Sequence, residues 1–529
     1  MEFDEVVKAL DLSTNDDQIA LERRLGAMVR DGQLVRNRRH AFCLVNKRDL
    51  IAGRVIGHPD GFGFVKPDDG GDDLYLYPRE MRALFHGDRI VARVTGRDRR
   101  GRLEGSVVEI LERSTSSVVG RLYSESGVGF VAPDNKRLSH DIIIPSDRLM
   151  GAEQGQIVVA EITDQPTSRT QPIGRVVEVL GDHMGPGMEI AIALRAHDLP
   201  VIWPDAVQEQ IAGLTEQVPE EAKSGRTDLR DLPLVTIDGA DARDFDDAVY
   251  CERKPKGWKL LVCIADVSAY VTPDSALDKE ALNRGNSVYF PDQVIPMLPE
   301  VLSNGLCSIN PDVDRLCMTC ELYVNREGKV TRSRFFQGVM RSHARLTYDQ
   351  VAAMLEDDDG PLCERHADLL PHLHELYALF QVLHEARKAR GAIEFDTVET
   401  RFVFNEAKRI ENIEPVQRNN AHRIIEECML AANVAAARLF QRKKMPALFR
   451  IHQTPKEEKL SDLREFLAEL GLNLPGGSKP AASDYATLLD SVRTRADAHL
   501  IQTVLLRSMQ QAMYSSDNAG HFWPGLRRL

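Results

Sequence analysis

The chain has 529 residues, 43% of them hydrophobic and 28% charged, which is enough for several domains and excludes a disordered or collagen-like polymer. Its net charge of -13, from 67 Lys and Arg against 80 Asp and Glu, excludes a uniformly basic coat for nucleic acid, so an anionic polymer would have to be met by local patches. The start, Met1-Glu2-Phe3-Asp4-Glu5, has neither the basic residues nor the apolar stretch of a signal peptide, and no apolar run reaches membrane length. The expectation is a cytoplasmic protein with no membrane partner.

The first segment, 1–50, carries helical patterns around Asp4 to Leu10 and Asn15 to Asp31. An alternating hairpin follows, with Arg36, Arg38, Arg39 and His40 at its tip. Helices leading into a basic hairpin predict a small winged-helix module, and an ordinary solvated helix pair is the alternative.

An internal repeat comes next. Gly53-Arg54-Val55 with Gly61-Phe62-Gly63-Phe64-Val65-Lys66-Pro67-Asp68 matches Gly120-Arg121-Leu122 with Gly127-Val128-Gly129-Phe130-Val131-Ala132-Pro133-Asp134. The agreement extends to Asp73-Leu74-Tyr75-Leu76 against Asp141-Ile142-Ile143-Ile144, and to Gly87-Asp88 against Gly155-Gln156. Two tandem domains of short strands are predicted, 51–113 and 114–180. On an extended strand Phe62 and Phe64 point to one side, a stacking platform for single-stranded bases. These residues resemble the cold-shock family, an OB-type five-stranded barrel, and so imply RNA binding by Phe62, Phe64 and Phe130. Val128 and Ile143 replace the aromatic residues Phe62 and Tyr75 in the second copy, which is therefore expected to stack fewer bases. Burial of these rings as barrel core remains the alternative for both copies.

Residues 181–230 are turn-rich, with a helical stretch near Glu189 to His197, and read as a connector packed on the next domain. From 231 to 529 the long apolar strands and helices predict one α+β unit. Eight Cys stand at 43, 251, 263, 307, 317, 320, 363 and 428. Cys317 and Cys320 have the spacing of half a zinc ribbon. No second pair stands at ligand spacing, and the segment reads as a strand, so reduced core thiols are expected.

Directly after the apolar strand Leu234-Val235-Thr236-Ile237 come five Asp in ten residues: Asp238, Asp241, Asp244, Asp246 and Asp247. Two carboxylates about 4 Å apart repel by roughly 4 kcal/mol at an effective dielectric of 20. Such a cluster needs cations or open water, and apolar flanks able to bury its base favour cations. Oxygen ligands without nearby His or thiolate point to Mg2+, or to Mn2+. On an RNA-stacking protein this suggests two-metal phosphodiester hydrolysis. On the helix 421–444, His422, Glu426, Met429 and Asn433 share one stripe, either as site residues or as satisfied core polar groups. Read alone, Tyr289 and Phe395 are expected in the core.

Ile237-Asp238-Gly239-Ala240-Asp241-Ala242-Arg243-Asp244-Phe245-Asp246-Asp247-Ala248 resembles the ribonuclease II/R family. So do Ser287-Val288-Tyr289-Phe290-Pro291, Asn304-Gly305-Leu306-Cys307-Ser308 and Ile425-Glu426-Glu427-Cys428-Met429. The leading winged-helix and paired cold-shock modules place the resemblance nearest the family's R branch. It implies a multidomain α+β chain: an N-terminal winged helix, two OB-type cold-shock β-barrels and an RNB catalytic domain. It also implies a processive hydrolytic 3′ to 5′ exoribonuclease that uses magnesium, degrades single-stranded or 3′-tailed structured RNA to 5′-nucleoside monophosphates, and works as a monomer. Asp238, Asp244, Asp246 and Asp247 would be its metal and catalytic carboxylates, and Glu426 would lie near the terminal nucleotide. Tyr289 and Phe395 would clamp the last bases, reversing the core reading of both.

After Gly520-His521-Phe522 the family continues into an arginine-bearing segment and an S1 barrel, whereas Trp523-Pro524-Gly525-Leu526-Arg527-Arg528-Leu529 does not match. This departure predicts a truncated or frame-shifted reading frame with an incomplete RNB domain and no S1 domain. A chain that only binds RNA is the alternative function.

Overall fold

The computed structural model describes residues 3–522, except 11, 13, 31–33, 37–41, 45–49, 99–100, 126, 182–186, 198, 292, 357–359, 396–398 and 417. The chain divides into two compact units, Met1–Val201 and Ile202–Leu529. The first opens with helices α1 (Phe3–Ala9) and α2 (Asn15–Arg30), followed by an antiparallel hairpin of β1 (Leu34–Arg36) and β2 (Phe42–Leu44). Leu25 is the buried centre of the helix pair, packed against by Phe3, Val6, Leu21 and Met28. The expected basic tip, Arg38, Arg39 and His40, lies outside the described residues, as do residues 523–529.

Strands β3 (Leu50–Gly57), β4 (Gly63–Pro67), β5 (Leu74–Leu76), β6 (Arg89–Arg97) and β7 (Leu103–Glu112) close a barrel in the order β3-β4-β5-β7-β6, with a short helix α3 (Pro78–Met81) between β5 and β6. A second barrel of β8 (Ser117–Glu125), β9 (Val128–Pro133), β10 (Ile142–Ile144), β11 (Ile157–Asp164) and β12 (Ile173–Gly181) has the same order, β8-β9-β10-β12-β11. The repeated glycines have a steric cause: a Cβ on Gly53 would run into the Lys66 carbonyl, and one on Gly120 into the Ala132 carbonyl. Asp88, which the second copy replaces with Gln156, is a joint. Fully buried, it accepts from the backbone of Phe85 and Ser114 at 2.9 Å each, and from Arg113 at 2.9 Å. Arg113 also donates to the Pro166 carbonyl, tying the two barrels together.

The predicted connector does not pack as one piece. Its helix α4 (Met188–Ala196) belongs with the second barrel, where Ile192 joins Val119, Ile157 and Val159. Helices α5 (Asp205–Ile211) and α6 (Glu220–Lys223) belong to the second unit, where Val207 is core.

That unit is built on a six-stranded sheet. Its strands are β13 (Thr227–Asp228), β14 (Leu234–Asp238), β15 (Asp247–Lys254) and β16 (Gly257–Ala265), then, beyond a small hairpin of β17 (Val288–Tyr289) and β18 (Val294–Ile295), β19 (Asp314–Asn325) and β20 (Val330–Thr347). The order is β13-β20-β14-β15-β16-β19, and β19 also pairs with β20. Both faces are buried, which explains the near-continuous apolar runs. Val249, Cys251, Leu260, Val262 and Leu322 face one core, shared with α8 (Tyr348–Glu356), α9 (Pro361–Arg365), α10 (Leu370–Ala389) and α11 (Asn420–Lys443). Ala248, Tyr250, Leu261, Cys263 and Cys317 face the other, shared with α7 (Ala276–Arg284) and a π-helical turn, Val301–Leu306. Cys317 and Cys320 fall on opposite faces because three residues is an odd step on a strand. They cannot ligate one ion together. A third core joins Ile393 and Phe395 to α12 (Glu457–Glu469), α13 (Ala482–Val492) and α14 (Ala498–Ser508).

Candidate active site

The carboxylates gather where the sheet opens. Strand β14 runs out at Asp238, the chain loops through 239–246, and β15 begins at Asp247. Asp238 Oδ1 accepts from the Gly239 amide at 2.7 Å, which turns the chain out of the strand. At the return, the Ala265 amide donates to the Asp246 carbonyl at 2.8 Å, and Phe245 drops its ring, 2% exposed, into the protein.

The loop concentrates carboxylate charge. Burial pushes the Asp247 carboxyl up to about 7, with further lift from Asp246 and Asp238. The Asp246 side chain reaches solvent, yet protein atoms crowd its carboxyl and raise its pKa, helped by Asp244 and Asp238. Asp247 Oδ2 is buried without a hydrogen-bond partner. A buried orphan acceptor among carboxylates that oppose each other's ionisation fits a hard divalent cation, the partner that would relieve both. Among the described residues, no three His, Cys, Asp or Glu side chains stand close enough together to hold a metal ion as placed.

Two tyrosines flank the cluster. Tyr289, 64% exposed at the end of β17, donates its hydroxyl to Asp244 Oδ2 at 2.8 Å. Its core reading fails. Tyr348, at the start of α8, was not singled out by sequence. It follows Thr347, which pairs in parallel with Asp238, so its hydroxyl reaches Asp238; burial first and that carboxylate second raise its pKa. The ring stacks on His422 at 3.9 Å. His422 is also the inner half of a capping box: Asn419 Oδ1 accepts from the amides of Ala421 and His422, and the imidazole meets the Asn419 amide at 3.3 Å. Its polar partners are thus structural.

Glu426 lies one helical turn further along α11 and faces arginines. Its Oε1 is 2.8 Å from Arg387 and its Oε2 2.9 Å from Arg418. Burial pushes its pKa up, but the two guanidinium groups outweigh this and hold it below the usual range. Glu426 and Asn433 line a pocket with Leu430, Phe440 and Tyr514. Phe395 departs from the clamp expected of it. It is 9% exposed, packed with Ile393 and Leu460 in the third core beside α12 to α14.

The remaining expected residues are on the barrels. His58 stacks on Phe62 at 4.1 Å, Phe62 meets Phe64 at 5.8 Å and Tyr75 at 5.4 Å, and Tyr75 meets Tyr77 at 5.0 Å. Arg102 lies 4.8 Å over Tyr75. These rings, half-buried but for the exposed Tyr77, stand outside the core of Val55, Val65, Leu74 and Leu76, so the core alternative fails for the first barrel. On the second, Phe130 is also outside the core, beside Tyr123 on the paired strand, with Val128 and Ile143 completing a sparser face.

Comparison with known proteins accounts for this combination of folds. The RNB domain model matches residues 226–527, the cold shock domain model 130–204 and the ribonuclease B OB domain model 53–110. The chain belongs to the RNB-domain family. Its relatives there include ribonucleases R: that of Escherichia coli (strain K12) is 56% identical over 520 residues, covering 98% of this chain and 64% of the relative. Ribonuclease R of Acidithiobacillus ferrooxidans is 54% identical over 395 residues, 74% of this chain and 90% of that one. A solved structure of Mycoplasma genitalium RNase R with ribose-methylated single-stranded RNA superposes with a TM-score of 0.85 at 26% identity, over 90% of this chain and 76% of that one. The chain thus spans less than two thirds of the length of its Escherichia coli relative.

Proposed function

We propose that this chain is a processive hydrolytic exoribonuclease that shortens single-stranded or 3′-tailed structured RNA from the 3′ end and releases 5′-nucleoside monophosphates. The observation that carries the reading is the mutually repelling carboxylate loop of Asp238, Asp244, Asp246 and Asp247 inside an RNB domain. These four residues would hold Mg2+ or Mn2+, which when bound supplies an activated water and offsets charge at the phosphate.

The chain's own groups set the rest. Tyr289 presents an exposed ring next to Asp244, where the last base can stack and bring its phosphodiester to the loop. Glu426, kept ionised by Arg387 and Arg418, is an acceptor for the hydroxyls of the terminal ribose. The ladder His58, Phe62, Phe64 and Tyr75 stacks upstream bases without reading sequence, and Phe130 adds a weaker contact. The leading helices and hairpin act as a winged-helix RNA contact, supported by their order α1-α2-β1-β2. Among the described residues the cysteines are buried and unbridged, which supports a reducing, cytoplasmic setting, and the chain works as a monomer.

A second reading, RNA binding without cleavage, is favoured by the open spacing of the carboxylates. An RNA labelled at its 5′ end, offered with a free or a blocked 3′ end, separates the two. The first reading expects the full-length 5′-labelled RNA to give way to a short 5′-labelled end product, with mononucleotide release, from the free end only. Bound but intact RNA would establish the second.

A further inference from the structure

The Asp loop has almost no strand partner of its own, and one hydroxyl stands in for it. Ser308, fully buried at the exit of the π-helical turn, accepts from the Phe245 amide at 3.2 Å and donates to the Arg243 carbonyl at 3.1 Å. The two bonds fall on the residues immediately before and after Asp244. The next amide, Ile309, donates to the Phe245 carbonyl at 2.6 Å.

Ser308 is itself anchored. Its amide donates to the Gly305 carbonyl at 3.1 Å, and its carbonyl accepts from Arg315 Nε at 2.7 Å. Arg315, 3% exposed, spends Nη1 on the carbonyls of Glu216 and Asp314. A guanidinium so deeply buried, whose hydrogen bonds all run to backbone carbonyls, fixes the backbone at both ends of its reach. The outer side of Asp244 is held by Tyr289.

We infer that Ser308 is a positioning residue for Asp244: it clasps the peptide on either side of that aspartate and so sets where its carboxylate stands for the reaction. The inference rests on the proposed nuclease reading. Loss of the clasp leaves a buried amide and carbonyl unpaired and lets Asp244 drift, and a displacement near 1 Å at a reacting centre costs about a hundredfold in rate.

The test compares the full chain with Ser308→Ala, Ser308→Cys and Ser308→Thr. Cysteine keeps the volume but bonds weakly, so it carries the test where alanine fails to fold; threonine keeps the hydroxyl. In metal-free protein, amide exchange of the 239–247 segment should quicken at least tenfold in the Ala or Cys variant, with the sheet strands unchanged. The Mn2+ concentration needed for half-saturation should rise several-fold. The turnover rate on a 3′-tailed RNA should fall about 10- to 100-fold, with the half-saturating RNA concentration within twofold, and threonine should restore part of each. Unchanged exchange at 239–247, or a turnover loss that tracks only a general loss of stability, would overturn the clasp. Failure of the parent chain to shorten RNA would instead count against the nuclease reading, and the exchange and Mn2+ measurements would still decide the role of Ser308.

Discussion

The aromatic face of the first barrel and the Asp loop of the second unit solve opposite problems. The face keeps apolar rings at the surface, where they pack on one another: Phe62 touches His58, Phe64 and Tyr75. The loop keeps charges crowded in a partly buried place, where burial first and neighbouring carboxylates second raise the pKa of Asp246 and Asp247. Rings waiting for bases cost little when unoccupied, so the face is a local property of one short strand pair. Crowded carboxylates are unfavourable until something cationic arrives, so the loop must be braced from afar, by Ser308, Tyr289 and Tyr348. Holding RNA and cutting it are therefore expected to separate cleanly under mutation.

Metal removal should break the symmetry most. Chelation is expected to abolish shortening of a labelled RNA, a loss of at least about a thousandfold, with binding unchanged within about twofold; magnesium should restore the rate. On the other side, Phe62→Ala with Phe64→Ala should weaken single-strand binding about tenfold or more, from ~1–3 kcal/mol of stacking per base, in a filter-binding titration. Equal affinity would remove the platform from the account.

A smaller effect sharpens the electrostatic half. Asp247 has a folded-state pKa of about 7 against 3.8 ordinarily, so its contribution to stability is fully present below about pH 4 and is lost as pH rises through 7. In a chelator at pH 8, Asp247→Asn should melt a few degrees higher than the parent, at about 2–4 °C per kcal/mol. Below pH 4 the advantage should vanish, and calorimetry at the two pH values would show it. The smallest effect is expected on the sparser face: Phe130→Ala should weaken RNA binding by less than the change at Phe62 and Phe64.

The same contrast explains what the sequence disclosed. Alternation along a strand was enough to put Phe62 and Phe64 on one side, and the density of Asp between apolar strands was enough to mark the loop. Helix α11 was read one residue late at each end; it closes at Lys444, whose φ of 54° is left-handed, before Pro446. Tyr289 and Phe395 carried no local signal, since an aromatic in an apolar stretch is equally consistent with a core and with a clamp. The structure exposes the first and buries the second. Tyr348 and Ser308 were illegible for a different reason. Tyr348 reaches Asp238 only because β20 pairs in parallel with β14, and Ser308 meets the loop only because a π-helical turn delivers it there. Composition does not say which neighbour a helix packs on, so the sequence leaves the division within 181–230 illegible; the apolar residues Ile192 and Val207 pack in different units.

The central claim is that the loop cuts what the barrels hold. It is tested most directly by measuring binding and shortening of one 3′-tailed, 5′-labelled RNA in magnesium, for the parent chain and for Asp246→Asn. The account expects stepwise shortening by the parent, none by the variant, and affinities within about twofold of each other. Shortening that survives in Asp246→Asn, or affinity lost together with activity, would contradict it.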